Sequence, residues 1–196
     1  MFANRFTALI DACTLADTLR RNLLLTLAEE EFFRVRWSQP ILDETRAAIH
    51  KMLVSREAAN ASEKSALAIS HMERAFEDAA VLGFSAYLPS CDGLPDPGDA
   101  HVVAAALKTQ ANLIVTENLK DFPSAILEPL NLEAKSADAF IADTIALETG
   151  RAVQAIQRMR LRFKKPELSA DQLLLEMDAR GLTETVDVLR PYVLSI

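Results

Sequence analysis

Four acidic residues are spaced so that their carboxylates could act together on a phosphate ester. Asp11 ends the short apolar run 6–10, and Asp121 lies in the turn after a second apolar run, 113–115. Asp99 and Glu44 stand at or near the starts of segments with helical spacing. If the apolar runs are parallel strands, the four acids meet at the carboxyl edge of one sheet, where open α/β folds bind ligands.

Carboxylates at close range repel one another and raise each other's pKa. A divalent cation relieves this repulsion, because Mg²⁺ and Mn²⁺ prefer oxygen ligands. Two such ions roughly 4 Å apart can hold the attacking water and the leaving oxygen of an in-line phosphodiester displacement. The pattern therefore predicts Mg²⁺- or Mn²⁺-dependent chemistry. Its expected catalytic residues are Asp11, Glu44, Asp99 and Asp121, and its expected metal ligands are Asp11, Asp99 and Asp121.

Each acid also has an ordinary structural interpretation. Asp11 and Asp121 could cap the helices that follow them, and Asp99 could be a turn residue next to Pro97-Gly98. Asp43 competes with its neighbour Glu44 for the same role. Taken singly, the structural interpretation of each acid is favoured. The coincidence of all four at strand ends and helix starts favours a site.

The apolar periodicity places these acids on a chain of alternating strands and helices. Strands are predicted at 6–10, 33–37, 112–116 and 132–135. Helices are predicted at 15–27, 39–56, 62–80, 99–109, 124–127, 136–148, 151–163, 169–180 and 183–190, with a loop at 87–97. This order predicts an α/β fold with a short, mainly parallel sheet flanked by helices. We expect a nuclease-like domain at 1–140 and a C-terminal helical extension at 141–196.

The composition limits the class of protein. The formal net charge of −7 argues against a surface that binds nucleic acid throughout, because phosphate contacts need Lys and Arg. No run approaches the roughly 20 apolar residues of a membrane helix, and no secretory signal opens the sequence. We therefore expect a cytoplasmic protein with reduced thiols. Cys13, beside Asp11, is expected to be a small buried thiol.

Several other polar residues are candidates for supporting roles. Thr116 could hydrogen-bond a ligating carboxylate. His101 is expected to be a polar helix residue near the site, with a ligand or general-base role as the alternative. Arg46 and Lys51 could contact phosphate. A dense basic run is expected to be a solvated helix face first and an RNA contact second; it consists of Arg158, Arg160, Arg162, Lys164 and Lys165.

Four segments resemble, in order, the motifs of the PIN-domain family. They are ALIDAC at 8–13, SQPILDE at 38–44, LPDPGDAHVVAAA at 94–106 and LIVTENLKDFP at 113–123. The resemblance covers about residues 6–140 and is closest to the VapC-like toxins, the ribonuclease half of type II toxin–antitoxin pairs. It implies a PIN-like, Rossmann-like fold and a Mg²⁺- or Mn²⁺-dependent endoribonuclease that acts on tRNA or another structured RNA.

The resemblance also implies protein partners, and the sequence departs from the family pattern at one position. The implied partners are a cognate antitoxin, which would use apolar grooves between the N-terminal helices, and a second copy of the chain in a homodimer. Many family members carry Asp where this sequence has Asn118. Some branches carry T-x-N-x-x-D-F, as here, so we expect Asp121 to supply the fourth carboxylate and Asn118 to be its hydrogen-bond or water-mediated partner.

Two other functions stay open from the sequence. A phosphatase could use Asp11 as a nucleophile on a similar sheet, but Cys13 stands where haloacid-dehalogenase-like enzymes place a second Asp. A catalytically weak PIN scaffold could act only through a protein partner. Asn118 supports that scaffold, whereas the presence of Glu44 and Asp99 argues against it.

Overall fold

The computed structural model describes residues 6–164 and 167–196 and contains a five-stranded sheet. Its strands are β1 (Thr7–Ile10), β2 (Arg34–Ser38), β3 (Ala80–Val81), β4 (Leu113–Val115) and β5 (Glu133–Lys135). They lie in the order β3-β2-β1-β4-β5, and each neighbouring pair is parallel. The predicted α/β class is confirmed.

The central strands are short apolar runs because both faces of the sheet are covered. Three of the four residues of β1, Ala8, Leu9 and Ile10, are completely buried. The side chains of Leu113, Ile114 and Val115 in β4 are buried as well. Parallel strands that are buried on both faces are expected to be continuously apolar rather than alternating.

The strand order reverses between β1 and β4. The chain leaves β1 to form β2 on one side and returns later to form β4 on the other side. At the carboxyl ends of these strands the backbone N–H of Asp11 donates to the carbonyl of Val115 over 2.9 Å. A reversal of this kind opens a crevice at the carboxyl ends of the strands, where such sheets bind ligands.

The α-helices in the described ranges follow the predicted order closely. They are α1 (Ala12–Ala16), α2 (Thr18–Glu29), α3 (Gln39–Ser55), α4 (Ala61–Ala75), α5 (Ala100–Thr109), α6 (Ser124–Leu127), α7 (Ala137–Leu147), α8 (Thr149–Arg162), α9 (Ala170–Asp178) and α10 (Thr183–Leu189). Short 3₁₀ turns lie at Glu77–Ala79, Phe84–Cys91, Pro97–Asp99, Leu119–Asp121, Glu128–Leu130 and Arg190–Ser195.

The chain divides into two compact units, and the first contains the sheet. It consists of the residues up to Thr18 together with Phe33–Lys135. Within it α5 packs on β1 and β2 through a stripe that includes the fully buried Val102 and Val103. Alanines follow on the same helix, and their small side chains let its backbone approach the sheet closely.

The predicted helix at 62–80 is wrong at its C-terminal end. The helix ends at Ala75, because Phe76 leaves the helical conformation with φ −134° and ψ 65°. Its ring packs edge-on against Trp37, with 6.0 Å between the ring centroids. The chain then forms the two-residue strand β3, which pairs with Trp37 and Ser38 of β2. A strand this short has too few residues to show a period of two.

Two further local predictions need correction. The single helix expected at 15–27 is instead α1 and α2, separated at Asp17, whose backbone is extended with φ −73° and ψ 123°. The loop expected at 87–97 begins inside a 3₁₀ turn, Phe84–Cys91, which packs against α5. At Phe84–Cys91, packing against α5 accompanies a backbone that the local apolar spacing does not encode.

The second unit is helical and consists of Leu19–Phe32 and Ser136–Ile196. It therefore contains most of α2 together with α7 to α10. The proposal of a separate extension at 141–196 stays a prediction. No α-helix in the described ranges 6–164 and 167–196 is long and apolar enough to cross a membrane.

The arginines of the basic run mainly bind groups inside this second unit. Arg158 pairs with Glu30, and an Arg162 nitrogen lies 3.2 Å from a Glu29 carboxylate oxygen. Arg160 donates to two backbone carbonyls, those of Leu168 over 2.7 Å and of Ile196 over 3.2 Å. Lys165 lies outside the described residues. These contacts agree better with a structural helix face than with a phosphate-binding surface.

Candidate active site

Asp11 follows β1 directly and is buried at the strand-order reversal. One carboxylate oxygen, Oδ1, accepts from the N–H of Ala12 over 2.7 Å and so caps α1. The other, Oδ2, accepts from the hydroxyl of Thr116 over 2.7 Å and from the thiol of Cys13 over 3.1 Å. Asp11 therefore does cap a helix, but only one of its oxygens is used for the cap.

Thr116 connects the two strand ends that form the site. It follows β4, is completely buried, and donates its hydroxyl proton to Asp11. The same hydroxyl oxygen accepts from the backbone N–H of Asn118 over 3.1 Å. One side chain thus orients a carboxylate from β1 and shapes the turn after β4. This is the kind of contact that fixes the orientation of a ligating group.

Asp99 stands immediately before α5, at the end of the 3₁₀ turn Pro97–Asp99. Its Oδ2 atom is buried and has no hydrogen-bond partner among the described residues. Burial raises the pKa of Asp99 most, and the negative charges of Asp11, Asp96 and Asp121 raise it further, to about 6 from 3.8. These carboxylates therefore lie within electrostatic range of one another.

The turn before Asp99 depends on a glycine and a second acid. Asp96 Oδ1 accepts from the backbone N–H of Gly98 over 2.8 Å. A Cβ atom at position 98 would lie 3.0 Å from that same oxygen, so a larger residue would push against it. The negative charge of Asp96 also raises the pKa of Asp99. The D-P-G-D spacing, two acids flanking a tight turn, is the signal that could have identified it.

Asp121 is held by the residue that departs from the family pattern. The side-chain amide of Asn118 donates to Asp121 Oδ2. Asn118 immediately precedes the short turn Leu119–Asp121, and Asp121 is its last residue. The helix α6 that follows receives no side-chain cap, so Asp121 does not serve as its cap.

Glu44 and Asp43 have different surroundings on α3. Glu44 Oε1 lies 3.0 Å from the Nε2 atom of His101 at the start of α5. Asp43 accepts from Gln39 over 3.2 Å and lies 3.9 Å from Arg46, both on its own helix. Only the Glu44 carboxylate of the two is thus joined to the segment that carries Asp99. Arg46 is more than half exposed.

Cys13 corrects the expectation of a buried thiol. The residue is exposed, whereas the other cysteine, Cys91, is buried. Its sulfur nevertheless points inward, 3.3 Å from the Thr116 hydroxyl. Burial of the sulfur, followed by the charge of Asp11, raises the thiol pKa from 9.0 to about 11. Cys13 is therefore a protonated thiol at neutral pH and a poor nucleophile.

The fold brings the expected acids to one edge of the first unit without a preformed cage. Asp11 and Asp121 act electrostatically on Asp99, and Glu44 contacts His101, which lies two positions after Asp99. Within residues 6–164 and 167–196 no group of three or more His, Cys, Asp or Glu side chains is arranged to hold a metal ion. The ligand set stays a prediction.

Comparison with known proteins places the whole chain in context. The family model for the PIN domain matches residues 7–120, and that for the VapC50 C-terminal domain matches residues 137–191. Over 83 residues the chain is 45% identical to "Putative ribonuclease VapC50" of Mycobacterium tuberculosis (strain ATCC 25618 / H37Rv). The matched stretch is 42% of this chain and 47% of that protein, so the chain spans about half the length of the relative it matches.

No solved structure matches the chain. The PIN-domain match covers more than half of the sequence and contains Asp11, Glu44 and Asp99, while Asp121 lies just beyond its end. The parallel sheet and the acids at its carboxyl edge agree with the motifs from which the resemblance was inferred. The inferred relationship is confirmed, and the chain belongs to the PIN-domain family.

Proposed function

We propose that this chain is a metal-dependent endoribonuclease that hydrolyses RNA phosphodiester bonds and is the toxin of a type II toxin–antitoxin pair. The observation that carries the proposal is the buried Oδ2 atom of Asp99, which has no hydrogen-bond partner among the described residues, although Asp11 and Asp121 lie close enough to raise the pKa of Asp99. Perturbed carboxyl groups that share one edge of a fold are typical of functional sites. The printed name of the relative, a ribonuclease, supports the same reaction class.

The chemistry of the donor set fits a hard divalent cation. Asp11, Asp99 and Asp121 would hold Mg²⁺ or Mn²⁺ through carboxylate oxygens, the atoms that such ions prefer. The buried Oδ2 of Asp99 is an unsatisfied acceptor, because no hydrogen-bond donor among the described residues reaches it. A bound divalent cation supplies charge stabilisation at the phosphodiester and orients the attacking water.

The remaining residues orient these acids. Thr116 holds Asp11, and Asn118 holds Asp121, each through a hydrogen bond to a carboxylate oxygen. At pH 7 an Asp99 carboxyl with a pKa of about 6 is mostly ionised and therefore able to bind a cation. Arg46 is exposed on α3 and is the proposed contact for the RNA backbone.

Partners and location are part of the same proposal and rest on the family resemblance. The substrate is RNA, with tRNA as the first class to test. The proposed protein partners are a cognate antitoxin and a second copy of this chain, and the proposed location is the cytoplasm. A small gene next to the one for this chain would support the antitoxin, whereas its absence would weaken the toxin role and leave the nuclease proposal intact.

The test is cleavage of an end-labelled total tRNA pool by the purified, partner-free chain with Mn²⁺, Mg²⁺ or EDTA. Wild type should cleave with a divalent ion and not with EDTA. Asp11→Asn should lower the rate roughly 100- to 1,000-fold, the effect of losing several kcal/mol of transition-state stabilisation. Asp43→Asn, an exposed acid beside Glu44, is the matched control and should cleave like wild type.

The opposite outcome has a clear meaning. Folded wild-type protein that cleaves neither tRNA nor a mixed cellular RNA pool with any divalent ion would contradict the ribonuclease proposal. The catalytically weak scaffold, acting through a protein partner, would then be favoured. Equal loss of activity in Asp11→Asn and Asp43→Asn would contradict the assignment of the site.

A further inference from the structure

We propose that His101 is a positioning residue that holds the Glu44 carboxylate toward the acidic site of the first unit. The inference rests on the proposed ribonuclease function and adds a residue to its machinery. Its basis is the 3.0 Å contact between His101 Nε2 and Glu44 Oε1, which joins residues 57 positions apart on two different helices.

The contact differs from an ordinary surface ion pair. The His101 side chain is only 16% exposed, while the Glu44 side chain is 52% exposed. The neighbouring pair of Arg46 with Asp43 joins residues three apart on one helix, and both of those side chains are more than half exposed. An exposed carboxylate therefore contacts a side chain that is mostly buried.

The hydrogen-bonding chemistry determines which ring nitrogen acts. An ionised carboxylate only accepts hydrogen bonds, so the proton of this contact belongs to Nε2 of His101. In the neutral ring Nδ1 is then an acceptor without a proton. That atom is buried and has no hydrogen-bond partner among the described residues. His101 therefore has one directed contact from its ring, and that contact is to Glu44.

The position of His101 explains why this contact matters for the site. The residue lies in the first turn of α5, two positions after Asp99. Because α5 packs on β1 and β2, its first turn has little freedom to move. Glu44 alone could adopt several side-chain conformations at its exposed position. The hydrogen bond from His101 selects one of them and holds the Glu44 carboxylate beside the first turn of α5, two residues after Asp99.

The kinetic test compares His101→Leu with His101→Gln, since Gln keeps an N–H donor near the position of Nε2. In Mn²⁺-dependent RNA cleavage, His101→Leu should lower kcat about 10- to 100-fold, the usual effect of losing a contact that orients a site residue. KM should change less than about threefold, because the RNA-binding groups are untouched. His101→Gln should recover most of the lost kcat.

Two controls separate positioning from a general structural effect. His50→Leu removes an exposed histidine from the same helix as Glu44 and should behave like wild type. In a chain that already carries Glu44→Ala, adding His101→Leu should lower kcat little further, because the group to be positioned is gone. Equal losses in His101→Leu and His101→Gln, or single losses that multiply in the double variant, would overturn the proposal.

A measurement on metal-free protein tests the contact without relying on cleavage. The sequence contains three histidines, so long-range nitrogen–proton NMR spectra of histidine-labelled protein can be assigned with single variants. His101 should carry a proton on Nε2. Of the three histidines, only His101 should change its resonances in Glu44→Ala. A ring that carries a proton on Nδ1 but none on Nε2, or no response to Glu44→Ala, would overturn the proposal. If wild-type protein cleaves no RNA, the ribonuclease proposal is contradicted. The spectrum would still show whether His101 contacts Glu44.

Discussion

At the scale of single residues, Asp99 and Asp11 have different surroundings. Asp99 is partly buried, and its neighbours Asp11, Asp96 and Asp121 carry the same charge. Asp11 is more buried, but it receives donors from Thr116 and Cys13. The two acids differ in their hydrogen bonding, because a buried oxygen of Asp99 has no donor among the residues that the structure describes. A buried polar atom without a hydrogen-bond donor destabilises the fold unless a bound ligand compensates for the missing contact.

The raised pKa of Asp99 predicts how the stability of the metal-free protein depends on pH. A carboxyl pKa of about 6 in the folded state and 3.8 when unfolded means that the folded state binds the proton more tightly. Stability is then highest below the unfolded value and falls as the pH rises through about 6. A difference of this size would be worth about 3 kcal/mol for a fully buried group. Because Asp99 is partly exposed, we expect about 1 kcal/mol.

The variant Asp99→Asn, measured in EDTA, tests whether stability falls as the pH rises. At pH 8 the variant should be more stable than wild type by about 1 kcal/mol in urea unfolding, because an ionised, poorly solvated carboxylate has been removed. At pH 4 the gain should vanish. Asp43→Asn, an exposed acid, should show no such dependence on pH. A variant that is less stable than wild type at pH 8 would show that Asp99 is well solvated or well paired.

The hydroxyl of Thr116 is predicted to stabilise the fold as well as the site. Thr116→Val keeps the shape of the side chain but removes the donor to Asp11 and the acceptor for the N–H of Asn118. Because a buried carboxylate loses a donor, we expect a loss of about 1 to 3 kcal/mol in urea unfolding. Thr45→Val is the matched control, since the fully buried Thr45 donates only to a carbonyl of its own helix. Equal losses in the two variants would contradict the prediction.

At the scale of the elements, one buried acid of the second unit completes a helix. The short helix α10 has no side-chain cap from its own N-cap residue, Leu182. The carboxylate of Asp138, in the first turn of α7, accepts instead from the N–H groups of Glu184 and Thr185, over 2.9 and 2.8 Å. A negative charge at a helix start also interacts favourably with the helix dipole.

Asp138→Ala should therefore destabilise α10 selectively. Two N–H groups of the helix lose their acceptor, for which we expect about 1 to 3 kcal/mol. Hydrogen exchange followed by mass spectrometry should show faster exchange in the peptide containing α10 than in peptides of the sheet. Asp187→Asn, an exposed acid on the same helix, should exchange like wild type. Unchanged protection of α10 in Asp138→Ala would show that the capping contact contributes little.

At the scale of the whole molecule, each unit has a core of its own. Trp37 is the single tryptophan of the sequence and is buried in the first unit, so its fluorescence reports on the sheet. Leu173 is completely buried in the second unit, on α9, which packs against α10. Trp37 fluorescence therefore follows the first unit, whereas the helical circular dichroism signal follows the helices of both units.

Leu173→Ala is predicted to affect mainly the second unit. The cavity should cost about 2 to 5 kcal/mol and lower the urea midpoint of the far-ultraviolet circular dichroism signal, which the helices dominate. The midpoint of Trp37 fluorescence should fall less. Ile114→Val is a smaller deletion in the core of the first unit. It should lower the free energy of unfolding followed by Trp37 fluorescence by about 0.5 to 1.5 kcal/mol. Identical shifts of both signals in both variants would show that the chain unfolds as one cooperative unit.

Features that depend on neighbouring residues were predictable from the sequence. Apolar runs indicated β1 and β4, the alternation of Arg34 and Arg36 with apolar residues indicated β2, and a strand was also predicted where β5 lies. The helical spacing indicated most helices to within a few residues. The positions of Asp11 and Asp121 after apolar runs indicated that they belong to one edge, because parallel strands end on the same side. The four motifs also predicted membership of the PIN-domain family, which the matched family model confirmed.

Features that depend on distant residues were decided by the tertiary structure. The strand β3 exists because two residues find a partner in β2, and Phe76 leaves its helix to pack on Trp37. The grouping of Leu19–Phe32 with the C-terminal helices joins segments that are more than 100 residues apart. The contact of Glu44, but not Asp43, with His101 depends on how α3 faces α5. Local periodicity does not predict any of these features. It indicates which face of an element is apolar, but not which other element packs against that face.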